Sequence, residues 1–128
     1  MNIPAELLYS SDHSWVKFED NIAIIGVSDF VQEQLGEIKG IEFPEIGDFV
    51  EAGDDLCKIE ASNDFTHVLA PISGYIEEIN TELNDDPELM NEDSYGKGWL
   101  VAIEVSNKDE EKDLMLAKEY EAFLDDNE

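Results

Sequence analysis

The sequence predicts a mainly β fold: two small antiparallel sheets with short helices and a C-terminal helix. Short apolar runs, such as residues 22–27 and 100–105, are separated by turn residues at regular spacing, as in sandwiched all-β units. Gly-Asp pairs at 47–48 and 53–54 each precede a short run of this kind. Near the C-terminus, one apolar stripe at helical spacing predicts a helix over about 108–124. The stripe consists of Leu116, Tyr120, Phe123 and Leu124.

The first half of the chain contains signals for two strands and a helix. Trp15 and Phe18 have side chains that favour strands. Residues 22–27 are apolar at both parities, which is typical of a strand covered on both faces. Ser28 is placed to cap a short helix through its hydroxyl, and Gly36 suits the end of that helix.

The following elements are read in the same way. Residues 38–50 indicate a strand broken near Pro44, because proline cannot donate a hydrogen bond to a sheet. Residues 86–91 indicate one or two helical turns with Pro87 at the first helical position. Asn107 is placed to cap the last helix.

Composition limits the classes of partner. The 128 residues suit one domain, 1–128, and contain 33 Asp plus Glu against 7 basic residues, for a net charge of −26. All seven basic residues are lysines. Nucleic acid and anionic membrane surfaces are therefore poor partners, whereas a basic protein surface would be attracted. Solubility alone is the other explanation of the acidity.

The lone cysteine permits a reducing compartment, and a cytoplasmic protein is expected, with a mature organellar protein as the alternative. Cys57 lies between Leu56 and Ile59 in a strand pattern, so a small buried apolar side chain is expected. The sequence shows neither a secretory signal nor an apolar run long enough to span a membrane.

No catalytic or metal site is predicted. Asp12, His13 and Ser14 are the residue types of a hydrolase triad, but adjacent side chains point in different directions and cannot align. Phosphate loops, dinucleotide fingerprints and paired-histidine motifs are not found. The oxygen-rich residues at 84–93 lack the spacing of a calcium-binding loop.

Residues 59–74 form the most informative stretch. Three consecutive turn formers, Ser62-Asn63-Asp64, lie between apolar runs, which predicts a hairpin with its tip near Asn63. Pro71 and the Ser73-Gly74 pair mark a second turn.

This hairpin resembles the carrier hairpin of the glycine cleavage system H protein, whose pattern is close to E-S-V-K-A-x-S-D-x-Y-A-P-x-S-G. The residues that match without a gap are Glu60, Ala70, Pro71, Ser73 and Gly74. Residues 26–36 also resemble that family, as do 42–48 and 87–99. The resemblance implies a lipoyl-domain-like barrel-sandwich fold and a carrier that is not itself an enzyme. In that family a lysine at the hairpin tip carries lipoate, and the residue here is Asn63.

The resemblance also implies partners and further site residues. A carrier of this family shuttles the aminomethyl group of glycine between the glycine decarboxylase and the aminomethyltransferase, and the dihydrolipoyl dehydrogenase reoxidises it. Two family acids hold the loaded arm, and their positions are occupied here by Ser14 and His67.

These substitutions predict an H-like protein that carries no lipoate at residue 63. Lys58, the nearest lysine, lies in a strand about five residues before the tip. Two alternatives remain open. One is a protein–protein interaction or regulatory module, which could bind the family's enzymes or another basic protein. The other is an idle duplicate.

Overall fold

The computed structural model describes residues 2–62 and 64–127. The strands that it places are β1 (Leu8–Tyr9), β2 (Ser14–Glu19), β3 (Ile22–Val27), β4 (Ile38–Glu42), β5 (Phe49–Val50), β6 (Asp55–Ala61), β7 (Phe65–Leu69), β8 (Gly74–Ile79), β9 (Val101–Val105) and β10 (Met115–Leu116). The helices are α1 (Asp29–Leu35), α2 (Glu82–Asp85), α3 (Leu89–Glu92), a 3₁₀ helix (Lys108–Asp113) and α4 (Ala117–Asn127).

The strands form two antiparallel sheets. One has seven strands in the order β10-β1-β2-β3-β9-β8-β5, and the other has three in the order β4-β6-β7. Apolar side chains from both sheets meet in one buried cluster that includes Val16, Ile25, Ile59, Val68 and Ile103. The predicted fold class, two small antiparallel sheets with short helices and a C-terminal helix, is confirmed.

A second apolar cluster lies on the outer face of the seven-stranded sheet. Tyr9 and Trp15 are paired across β1 and β2, and α4 covers them with Tyr120 and Leu124. The Tyr9 and Tyr120 rings are stacked with centroids 4.7 Å apart. Gly26 in β3 lies opposite Trp15 in β2, and a Cβ on Gly26 would lie 2.6 Å from the indole ring. Glycine is therefore required for the indole to lie flat on the sheet.

Gly74 is required by a second close approach. It begins β8 opposite Val105, and a Cβ at this position would lie 2.1 Å from the carbonyl oxygen of Glu104. The glycine of the Ser73-Gly74 motif is thus required by close packing of β8 on β9, where the chain passes from one sheet to the other.

The predicted helix over 108–124 is wrong in its bounds. Residues Lys108–Asp113 form a 3₁₀ helix, the chain then pairs with β1 as β10, and α4 begins only at Ala117. Asn107 does cap, since its Oδ1 accepts from the Asp109 N–H at 3.1 Å, but it caps the 3₁₀ helix. Leu116 lies opposite Leu8 in β10 and is 59% exposed, so it is not part of the buried stripe.

Two other local predictions change. Ser28 occupies the N-cap position of α1, but its hydroxyl is hydrogen-bonded to the Tyr120 hydroxyl at 2.7 Å and not to the helix. The helix expected at 86–91 begins at Leu89, and a separate short helix, α2, precedes it. For Ser28, a tertiary contact therefore replaces the local one.

Cys57 is buried, as its apolar neighbours predicted, and burial raises the pKa of its thiol to about 12. Within residues 2–62 and 64–127, no helix has the length and apolar character needed to cross a bilayer.

Candidate functional site

Strands β6 and β7 form an antiparallel hairpin around the predicted turn at residues 62–64. Glu60 lies opposite Phe65 and Lys58 opposite His67. The alternate side chains of the two strands point into the core, where Cys57, Ile59 and Val68 are buried. One face of the hairpin is therefore fixed by packing, and the other presents polar side chains to solvent.

The chain reverses between Ala61 and Asp64. The Ala61 N–H donates to the Asp64 carbonyl oxygen at 2.8 Å, and the Ser62 N–H donates to the Glu37 carbonyl oxygen at 3.2 Å. Ser62 and Asp64 are both exposed. Asn63, predicted to occupy the position of the family's lipoyl lysine, lies outside the residues that the structure describes. The two bonds nevertheless fix the chain on either side of it.

Lys58 lies on the solvent-facing side of β6, close to two carboxylates. Its Nζ is 3.7 Å from a carboxylate oxygen of Glu60 and 3.9 Å from one of Glu42, and it lies 4.6 Å from the centroid of the Phe65 ring. These are surface contacts, which contribute little to stability. They place the lysine against the sheet and not at the end of the hairpin.

A cleft of about 150 Å³ opens between the hairpin and α1. We call it the hairpin cleft. The residues that line it are Asp12, His13, Val27, Phe30, Val31, Gln34, Leu35, Thr66, His67 and Val68. Its walls are mostly apolar, with a histidine from each side. The sequence predicted His67, but the contribution of α1 depends on how that helix packs on the sheets.

His13 is held rigidly at this cleft. Its backbone has a φ of 70°, its ring stacks on Phe30 with centroids 4.3 Å apart, and its Nδ1 lies 2.8 Å from the Tyr120 hydroxyl. Burial lowers the pKa of His13, while the Asp12 carboxylate acts in the opposite direction. The Tyr120 hydroxyl also bonds to Ser28 Oγ, so this contact connects β2, α1 and α4.

Ser14, predicted to occupy the position of one family acid, is fully buried. It lies opposite Val27 in the seven-stranded sheet, and within the described chain its Oγ has no hydrogen-bond partner. A buried hydroxyl without a partner costs about 1–3 kcal/mol. The structure therefore places Ser14 beside the cleft wall, while Glu60 lies exposed on the solvent face of the hairpin.

One tertiary contact, between Ser73 and Glu110, was not predicted from the sequence. Glu110, expected in the first turn of a helix, accepts two hydrogen bonds of 2.7 Å from Ser73, one from its N–H and one from its hydroxyl. The two residues are 37 positions apart. No local pattern indicates such a pair, because it depends on where the 3₁₀ helix lies.

Comparison with known proteins gives a consistent result. The family model described as "Glycine cleavage H-protein" matches residues 7–127. The chain is 42% identical over 124 residues to the glycine cleavage system H protein of Carboxydothermus hydrogenoformans, covering 97% of this chain and 95% of that one. It is 43% identical over 126 residues to the H protein of Oceanobacillus iheyensis, covering 98% of this chain and all of the other.

A solved structure agrees. The crystal structure of a glycine cleavage system H protein from Mycobacterium marinum superposes with a TM-score of 0.85 at 30% identity, covering 94% of this chain and 97% of that one. The chain therefore belongs to the glycine cleavage H-protein family, whose members are lipoyl carriers and not enzymes.

Proposed function

We propose that this protein is an H-like member of the family that carries no lipoate at residue 63. The decisive observation is the carboxamide of Asn63, which has no basic amine to acylate, at the position that matches the family's carrier lysine. We also infer that residues 1–128 form one H-protein-like domain and that the protein acts in the cytoplasm.

The position of Lys58 supports this proposal. Its side chain lies along β6 among Glu42, Glu60 and Phe65, whereas the exposed connection begins after Ala61. A lipoyl arm attached at Lys58 would start from the face of the sheet and not from its end, about 10 Å from Ala61 at the usual strand rise.

The changes at the hairpin cleft support it further. Ser14 is buried where the family has a glutamate, and His67 lines the cleft where the family has an aspartate. A cationic amine on a loaded arm would therefore lose two carboxylates that could pair with it. The fold around these positions remains similar to that of the solved family structure.

A role as an interaction module is the second candidate. The enzymes that the family serves, the glycine decarboxylase, the aminomethyltransferase and the dihydrolipoyl dehydrogenase, are the first partners to test. Another basic protein surface is the alternative, and the charge of −26 favours it. An idle duplicate would bind none of these.

Intact mass tests the proposal. We expect no lipoyl increment after incubation of the purified protein with a lipoyl ligase, ATP and lipoate. The Asn63→Lys variant should gain one increment if the surface that docks the ligase is intact. Asn63→Gln is the matched control and should gain none. An increment on the unmodified sequence would contradict the proposal, and peptide mapping would then identify the lysine used.

A further inference from the structure

The outer face of the seven-stranded sheet continues beyond the part that α4 covers. Strand pairing joins Phe49 to Tyr75, Tyr75 to Glu104, Glu104 to Ile22, and Ile22 to Glu19. Directly paired residues point to the same side of a sheet, so these five side chains form one row across five strands. Phe49 and Tyr75 are 47% and 50% exposed, and their rings meet edge to face at 5.1 Å.

A depression of about 510 Å³ adjoins this row. We call it the outer groove. The residues that line it are Glu19, Asp20, Ile22, Ile24, Glu78, Trp99 and Ala102. Its floor is aliphatic, one wall is an indole ring, and its charged residues are all acidic.

Lys17 lies on the same face, opposite Ile24, but the carboxylates of this surface form no ion pair with it within the described chain. Within the described chain, no salt bridge involves Glu19, Asp20, Glu78 or Glu104. On the three-stranded sheet, by contrast, Lys58 lies within 4 Å of two carboxylates.

Acidity alone does not distinguish this surface, because the whole chain is acidic. A second acidic depression, lined by Glu37, Glu88, Asn91 and Glu92, has no apolar floor. What sets the outer groove apart is that half-buried aliphatic and aromatic side chains lie beside carboxylates that form no salt bridge within the described chain. The exposed Phe49–Tyr75 pair adjoins them.

We propose that the outer groove and the adjacent Phe49–Tyr75 pair bind a cationic, lysine- or arginine-bearing segment of a partner protein. The aliphatic stems of such side chains can pack on the half-buried Ile22 and Ile24 while their charged ends reach Glu19 and Glu78. Trp99 also lines the groove, and an aromatic ring there attracts the same cations. A second copy of this chain does not fit, because two surfaces of the same strong negative charge would repel.

The inference is independent of the state of residue 63. The outer groove is on the seven-stranded sheet, whereas the hairpin belongs to the three-stranded sheet. A lipoylated protein could use this surface equally well, so the mass experiment above and the binding experiment below can fail separately.

Amide chemical-shift mapping of the full chain tests the inference. The probe is a short synthetic peptide of alternating lysine and leucine, compared with the analogue that has glutamate in place of lysine. We expect shifts at the residues of the outer groove, including the Trp99 indole, with the lysine peptide only. The Glu19→Gln/Glu78→Gln variant should raise the Kd about tenfold, since each removed charge pair weakens binding several-fold.

The matched control is Glu88→Gln/Glu92→Gln, which removes the same charge from the second acidic depression. It should change the Kd less than about twofold, since screening weakens distant charges. Ile24→Ala tests the floor and should weaken binding about threefold with the charge unchanged. Equal losses in the two glutamine variants, or shifts spread over all acidic surfaces, would overturn the inference. Concentration-dependent shifts at the groove without peptide would instead identify a second copy as the occupant.

Discussion

The outer face of the seven-stranded sheet has two halves that the protein uses differently. On the half formed by β1 and β2, α4 buries Tyr9, Trp15, Tyr120 and Leu124. On the half formed by β3, β9, β8 and β5, here called the bare half, Phe49 and Tyr75 stay about half exposed. The carboxylates beside them form no salt bridge within the described chain. Both halves contain aromatic side chains, so hydrophobicity alone does not decide which one is covered.

Hydrogen bonding explains part of the difference. In the covered half the Tyr120 hydroxyl contacts His13 and Ser28, and the Trp15 indole N–H donates to the Ser94 carbonyl oxygen at 2.8 Å. These hydrogen bonds connect α4 and the loop before β9 to the sheet and so help to fix their positions.

The largest expected change in stability comes from comparing two leucines near the C-terminus. Leu124→Ala should lower the free energy of unfolding by about 3 kcal/mol, because it leaves a cavity in the covered half. Leu116→Ala should lower it by less than about 0.5 kcal/mol, because that side chain is already exposed. Urea denaturation measures both. Similar losses would show that α4 does not pack as described.

Tyr120→Phe should cost about 1–2 kcal/mol in urea denaturation, because it keeps the ring stack on Tyr9 but removes hydrogen bonds to His13 and Ser28. Tyr75→Phe is the matched control in the bare half, where the tyrosine is half exposed, and should be close to neutral. A neutral Tyr120→Phe variant would mean that its hydroxyl does not anchor α4.

Phe49→Ala should cost about 0.5 kcal/mol, since it removes an exposed edge-to-face ring pair and no buried area of the core. Thermal unfolding followed by circular dichroism measures this change. A loss as large as that of Leu124→Ala would show that the bare half is needed for folding.

The smallest effect is a pH dependence. Burial lowers the pKa of His13 in the folded state, so the unfolded chain binds more protons below its ordinary pKa of about 6.5. The contribution of His13 to stability is therefore complete above that pH and declines as the pH falls through the folded-state pKa. Urea midpoints between pH 7.5 and 5.5 should fall more steeply for the natural sequence than for His13→Gln. Parallel slopes would contradict this.

The fold was largely predictable because local patterns and core packing agree. Residues 22–27 are apolar at both parities, and every residue of β3 is buried or half-buried. The C-terminal helix was misplaced because Leu116 fits a helical stripe by spacing, whereas pairing with Leu8 holds it in β10. The spacing of apolar residues along the sequence carries no information about a strand partner at the other end of the chain.

The candidate-site residues that lie in one contiguous motif could be identified from the sequence. Glu60, Asn63 and His67 were identified from one ungapped stretch, and the assignment of their roles remains a prediction. The α1 side of the hairpin cleft and the Ser73–Glu110 contact were not identified, because they join segments that are distant in sequence.

The sequence by itself determined the family, the alternation of strands and turns, the strong negative charge and the carboxamide at residue 63. These are properties of local spacing and residue type. Only the tertiary structure decided that Ser28 bonds to Tyr120, that Ser14 Oγ is buried without a partner in the described chain, and which half of the outer face α4 covers. Those outcomes depend on which distant segments approach each other, and that is set by the packing of the whole core.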